Sequence, residues 1–393
     1  MSWLRGVSVI ALLAATPACG AGETESEGAV LSGATALSVG LNSTCALIKD
    51  GFVRCWGFNF DAQLGHGLGE TSAGSWTAVR VDHVADAIGV AVADRYACAA
   101  LADGSVKCWG VLPTRLLTKL PPSPAYAEDQ VTAARAVAAG REHTCALQTD
   151  GGVECWGNTA LVNLGDGKLP DDAVTWSRIA SVTDLSDATA IAVTYPTSCA
   201  LLGSGEVKCW GETWVDGDTL DDQSLAGRTW LSSTPTPKLI EGLPRVVGIA
   251  LAHLYGCAVL EDTTVACWGW VPEGMGGTGM PSVIPTKVAD LSDAIAVATG
   301  DAHACALLSD GSIRCWGSNI AGQLGDGTEL TSPVPVRVQG IDTAIAIAAG
   351  GLDTCALLAD STVRCWGNNA LGCSGSDGSC SDSAVPVVVR LAP

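Results

Sequence analysis

Tryptophan apart, this chain has few aromatic residues. Of 393 residues, 4 are Tyr and 3 are Phe, and Met also occurs only 3 times. Charge is sparse as well: charged residues make up 16% of the chain, with 21 Lys and Arg against 41 Asp and Glu. A formal net charge of −20 repels phosphate backbones. That excludes nucleic acid held in a basic groove and leaves proteins or sugars as partners. No Cys-x2-Cys pair occurs, so nothing has the close spacing of a structural metal site. The catalytic words G-x-S-x-G, H-E-x-x-H and the P-loop are missing too, and no catalytic constellation or cofactor site takes their place. No stretch after the N-terminus is long and apolar enough to cross a membrane as a helix.

What is abundant is 47 Gly, 13 Trp and 17 Cys. Cysteine at this density, without metal spacing, points to an oxidising compartment. The N-terminus agrees. Residues 1–5 carry one positive charge, 6–15 form a short apolar run, and Thr16-Pro17-Ala18-Cys19 follows. This is the form of a cleaved signal peptide over 1–18. Cys19 directly after Ala18 resembles a bacterial lipobox, in which that Cys is lipidated, although Thr16 stands where Leu is usual; plain secretion is the alternative. Residues 19–33 then read as a flexible tether, and the only membrane contact expected is the lipid. Gly20 after Cys19 favours the outer over the inner membrane.

The chain repeats itself. The word "GDAHACALLSDGSIRCWG" at 300–317 recurs in altered form at 40–57, 93–110, 140–157, 194–211, 252–269 and 350–367. Each copy reads as a β-hairpin: an apolar run opening on C-A-L, a turn such as Asp50-Gly51 or Asp310-Gly311, and a return run ending C-W-G. The two Cys of each copy are ten apart. They are Cys45 with Cys55, Cys98 with Cys108, Cys145 with Cys155, Cys199 with Cys209, Cys257 with Cys267, Cys305 with Cys315 and Cys355 with Cys365. With an odd-numbered turn centred between them, the partners face each other across the hairpin. Their Cα atoms are then about 4.5–5.5 Å apart, within disulfide range. An apolar strand such as 294–300 precedes each hairpin, and a Gly-rich loop and an outer strand such as 333–338 follow it. Four short strands per repeat of about 50 residues predict an all-β fold. It is a seven-bladed β-propeller of four-stranded blades over 34–393, with a disulfide in each hairpin.

These words resemble the regulator-of-chromosome-condensation repeat, whose pattern is roughly V-x-x-V-x-x-G-x-x-H-x-x-A-L-x-x-D-G-x-V-x-x-W-G-x-N-x-x-G-Q-L-G-x-G. The resemblance covers 34–393 and is fullest at 295–336, including "WGSNIAGQLGDG" (316–327), with "WGFNFDAQLGHG" at 56–67. Copies two, four and five lose G-Q-L-G, and copy seven has "NNALGCSGSDGSC" instead. The resemblance implies a ring in which the two chain ends complete one blade together. It also implies action by protein contact, as in the nucleotide-exchange and enzyme-inhibitor propellers of the family. An exchange role does not suit an exported chain.

Several residues invite a functional reading. His143 and His303 stand two before a hairpin Cys and His253 four before; the family pattern places a structural His at this point. Trp56, Trp109, Trp156, Trp210, Trp268, Trp316 and Trp366 recur once per copy and are expected to pack between blades, as are Trp76, Trp176 and Trp230 before outer strands. The longest departure from the repeat is 212–230, where Trp214, Asp216, Asp218, Asp221 and Asp222 offer a binding loop. They lack the Gly and Glu positions of a helix–loop–helix calcium site, so no metal is assigned. A second insertion, 111–130, carries apolar residues, prolines and a basic pair. Cys373 and Cys380 pair locally in this reading, which leaves Cys19 as the odd cysteine. The expectation is a monomeric, non-enzymatic binding or scaffold protein with an unidentified protein ligand. A carbohydrate- or calcium-dependent adhesin is the alternative, and a glycoside-acting enzyme the more distant one.

Overall fold

The computed structural model describes residues 29–66, 74–112, 126–127, 131–158, 164–168, 179–213, 232–277, 282–368 and 382–391. They form seven four-stranded antiparallel sheets, each built from four consecutive strands. In the first blade these are Ala34–Val39, Ser43–Ile48, Val53–Phe58 and Gly74–Arg80, from the axis outward. In the last they are Ala344–Gly350, Asp353–Leu358, Val363–Gly367 and Ser383–Val388. No helix among the described residues is long and apolar enough to cross a membrane.

The hairpins have the expected register, with the two Cys of each blade directly opposed. Cys45 stands opposite Cys55, Cys98 opposite Cys108, Cys145 opposite Cys155 and Cys199 opposite Cys209. Cys257 stands opposite Cys267, Cys305 opposite Cys315 and Cys355 opposite Cys365. All seven pairs are at disulfide bonding distance. Their Cα atoms are 4.0–4.1 Å apart, closer than spacing alone suggests. The turn depends on its Asp and Gly. Asp50 Oδ1 accepts the Phe52 N–H at 3.2 Å, and Gly51 has φ +79°. A Cβ on Gly51 would lie 2.9 Å from Asp86 Cα in the connection to the second blade, so hairpin turn and neighbour are in close contact.

Cys and Trp are adjacent in the C-W-G strand and so point to opposite sheet faces. This alternation makes seven cores, one between each pair of blades. Cys45, Cys55, Leu47 and Val53 of blade 1 pack against Ala97, Ala99 and Trp109 of blade 2. The same pattern runs round the ring to Cys355, Cys365 and Leu357 of blade 7 against Ala46 and Trp56 of blade 1. The seven Trp are 0–3% exposed. They pack between blades as the repeat predicts, each burying a large apolar area. Trp76 is half-buried in the outer strand of blade 1, while Trp176 and Trp230 lie outside the described residues.

Two expectations are corrected. Among the described residues each sheet is built from four consecutive strands, so the chain ends do not build one four-stranded blade between them. Closure comes from the tail instead. Leu31 N donates to Val389 O at 3.0 Å, Leu391 N to Ala29 O at 2.7 Å, and Ala78 N to Arg390 O at 2.8 Å. The tail thus runs between the N-terminal segment and the outer strand of blade 1. For the same reason residues 29–31 belong to the propeller and not to a tether: Leu31 is buried in the closing core.

Candidate functional site

The turns joining the first and second strands of all seven blades converge at one end of the central channel and enclose a mouth of about 450 Å³. Each turn opens on a small residue, among them Gly40, Ala93, Gly140, Gly300 and Gly350, set close to the next blade. A Cβ on Gly40 would lie 2.3 Å from Ala93 O, and one on Gly350 would lie 2.5 Å from Gly40 O. The next residue in each turn forms the rim: Leu41, Asp94, Arg141, Tyr195, His253, Asp301 and Gly351 in blade order.

Four of these make a continuous ladder. Asp94 Oδ2 is 3.6 Å from Arg141 Nε, and the Arg141 guanidinium lies 5.9 Å from the Tyr195 ring centroid. The Tyr195 and His253 rings stack at 5.6 Å and 11°, and His253 Nδ1 meets the Tyr195 carbonyl. Asp301 follows. Solvent reaches it, but the concave wall surrounds it with protein. Its carboxyl pKa is raised by that desolvation and by Asp94, and lowered in part by His253. The Tyr195 hydroxyl is also held above its usual range by desolvation, with Glu142 and Glu212 adding to it and Arg141 opposing.

His253 therefore differs from the other two histidines. His143 and His303 are buried between blades, where Nε2 meets Ser198 Oγ at 2.6 Å and Thr354 Oγ1 at 2.8 Å. Burial lowers their pKa to about 3 and about 4, so both rings are neutral at pH 7. In blades 2 and 5 the same position holds Tyr96 and Tyr255, whose hydroxyls donate to carbonyls of the next turn, Gly140 and Gly300 among them. These positions are interblade links.

The third strands end at the mouth face: Gly57 pairs with Ser43 and Gly211 with Thr197. Every connection to an outer strand therefore departs on this face. The chain leaves at Thr213 and pairs again at Ser232, so the 212–230 connection opens here. Trp214, Asp216, Asp218, Asp221 and Asp222 themselves lie outside the described residues, as do Cys19, Cys373 and Cys380. The same face exposes Phe60 and Ile320, at equivalent positions in the blade 1 and blade 6 loops. Among the described residues no group of three or more His, Cys, Asp or Glu is placed to hold a metal ion. Of the rim residues, sequence reading singled out only His253. The signal for the others was the variable residue after the Gly, Ala or Thr that opens each turn.

The family profiles of the regulator of chromosome condensation (RCC1) repeat match residues 134–159, 294–323 and 344–373, and, in a second form, 310–357. No curated protein sequence matches the chain. Among solved structures it is similar to human WBSCR16, with TM-score 0.72 and 20% identity over 86% of this chain and 95% of that one. It is also similar to Prp20p from Saccharomyces cerevisiae, described with its binding to Gsp1p and histones, with TM-score 0.66 and 20% identity over 80% of each chain. A second structure of that yeast protein, bound to Kap60, matches with TM-score 0.61 and 20% identity over 81% of this chain and 78% of that one. At such identities the likeness is one of fold. The chain carries RCC1 repeats, and they build a seven-bladed β-propeller.

Proposed function

We propose that this chain is a non-enzymatic binding or scaffold protein that engages a protein partner through the channel-mouth face. One observation carries the reading: the mouth, the exposed Phe60 and Ile320, and the connection across 212–230 all open on the same end of a rigid ring. The opposite end holds the short hairpin turns, tightly packed on their neighbours. The yeast propellers of similar fold are described in contact with proteins, namely Gsp1p, histones and Kap60. Fold likeness does not transfer a partner, so its identity stays with experiment. The seven Cys pairs, and the resemblance of residues 1–18 to a signal peptide, support an exported protein with its lipid on Cys19 or released.

The test is capture of partners from envelope extracts by residues 29–393, alongside a variant with 212–230 replaced by a short Gly-Ser linker. The expected result is a specific protein recovered by the first and lost by the second. If neither recovers a protein, the contact reading fails. Binding to glycans that a chelator abolishes would instead establish the adhesin reading suggested by the acids at 216–222.

A further inference from the structure

Charge is confined to one arc of the channel rim. Blades 2 to 5 supply Asp94, Arg141, Tyr195 and His253, each leaning on the next, and blade 6 supplies Asp301. Blades 7 and 1 supply Gly351 and Leu41. Gly351 has φ +50°, and a Cβ there would lie 2.6 Å from Leu41 O, so this position excludes a side chain. The rim therefore has a notch without polar side chains, flanked by Asp301 on one side and Asp94 on the other.

The two flanking carboxylates are not equivalent. Asp94 has its counter-ion in Arg141 at 3.6 Å. Asp301 uses its backbone N–H on Gly351 O at 2.9 Å, but its carboxylate has no hydrogen-bond donor and no ion-pair partner among the described residues. Desolvation by the wall raises its pKa, His253 partly offsets this and Asp94 adds to it. A cation at the notch relieves both raising effects at once. An anion finds no free partner, because Arg141 is held between Asp94 and Tyr195. The aromatic stack of Tyr195 and His253 forms the adjoining wall, a surface suited to the alkyl stem behind a charged head.

We propose that the channel mouth is a binding site for an ammonium or guanidinium group, which enters over the Leu41–Gly351 notch and pairs with the Asp301 carboxylate in the field of Asp94. This rests on the reading of the mouth face as the contact surface. It adds the chemistry recognised there: a Lys or Arg side chain of the partner, or a free amine.

The full chain is titrated calorimetrically with N-acetyl-lysine methylamide, N-acetyl-arginine methylamide, 1,4-diaminobutane and the uncharged N-acetyl-norleucine methylamide. The three cations are expected to bind saturably and the norleucine derivative not at all. Asp301→Asn should weaken the cations about tenfold or more, the scale of a lost charge-assisted contact. Glu261→Gln, at a hairpin turn on the opposite face, should leave binding unchanged. Near-UV circular dichroism checks that the Asp301→Asn protein is folded. Tighter binding of the diamine identifies a free polyamine as the source; tighter binding of the amino-acid amides identifies a partner side chain. Equal binding by the norleucine derivative, or by Asp301→Asn, overturns the proposal. Protein capture and amine binding that both survive Asp301→Asn overturn this site and leave the contact face standing. Amine binding without any captured protein supports this site and removes the protein partner.

Discussion

His143 and His303 share a register position, a neutral ring and a buried Nε2 contact to a hydroxyl of the next blade, whereas His253 lies in the open on the channel rim. The buried pair creates a pH dependence whose sign follows from proton uptake. The unfolded chain binds protons on these rings near pH 6.5, while the folded chain resists until about 3 and about 4. Between those limits the unfolded state holds more protons, so stability falls as pH falls and is restored on return to neutrality. The loss approaches roughly 3 kcal/mol per ring at pH 4. The double variant His143→Gln, His303→Gln should flatten denaturant-measured stability against pH from 4 to 7 relative to the parent. Equal slopes in the two proteins would remove the histidines from the account. The Cys pairs were legible at this scale because ten residues around an odd turn leave one register. The rim was not, since a variable residue after a glycine says nothing about its distance from six equivalent turns.

At the scale of elements, the W-G-x-N-x-x-G-Q-L-G word acts as a roof over the next blade's Trp. In blade 1 Asn59 Oδ1 accepts the Leu64 N–H at 3.1 Å, and this places Gln63 O to accept Trp109 Nε1 at 2.9 Å. Blade 6 repeats the arrangement, with Asn319 to Leu324 at 2.9 Å and Trp366 Nε1 to Gln323 O at 2.9 Å. Gly65 and Gly325 are needed because a Cβ would lie 2.7 Å from atoms of the covering contact, Val81 Cγ1 and Trp366 Nε1 respectively. Blade 5 lacks the word. A short 3-10 turn, Glu273–Met275, takes its place and packs Met275 on Trp316, whose buried Nε1 has no acceptor among the described residues. Trp366→Phe should therefore cost about 1 kcal/mol more than Trp316→Phe, the net worth of one hydrogen bond. Comparable losses in chemical denaturation would refute the roof. The departures of the fifth copy were visible in the sequence. That they strip a neighbouring blade's Trp of its acceptor required the packed structure.

For the whole molecule the issue is closure. A ring whose blades contact only their neighbours is as stable as its weakest seam. The seam between blades 7 and 1 holds Leu31, Val389, Trp56 and Cys355 in one core, reinforced by the tail's hydrogen bonds to the N-terminal segment and the outer strand of blade 1. Removal of residues 389–393 deletes a fully buried Val and those hydrogen bonds. It should lower unfolding stability by roughly 3–5 kcal/mol, with blades 1 and 7 gaining hydrogen exchange first. Uniform loss of protection across all blades would show that closure is spread round the ring.

By itself the sequence determined the repeat, its hairpins, the number of blades, the cysteine partners and the alternation that sends Cys to one interface and Trp to the other. All of these are consequences of period and register within about fifty residues. Tertiary structure alone decided how the ring closes, which face collects the long connections, and how Asp94, Arg141, Tyr195 and His253 form one ladder that ends beside Asp301. Residues separated by some fifty positions or more become neighbours only when seven turns meet at a common axis, and no local pattern carries that distance.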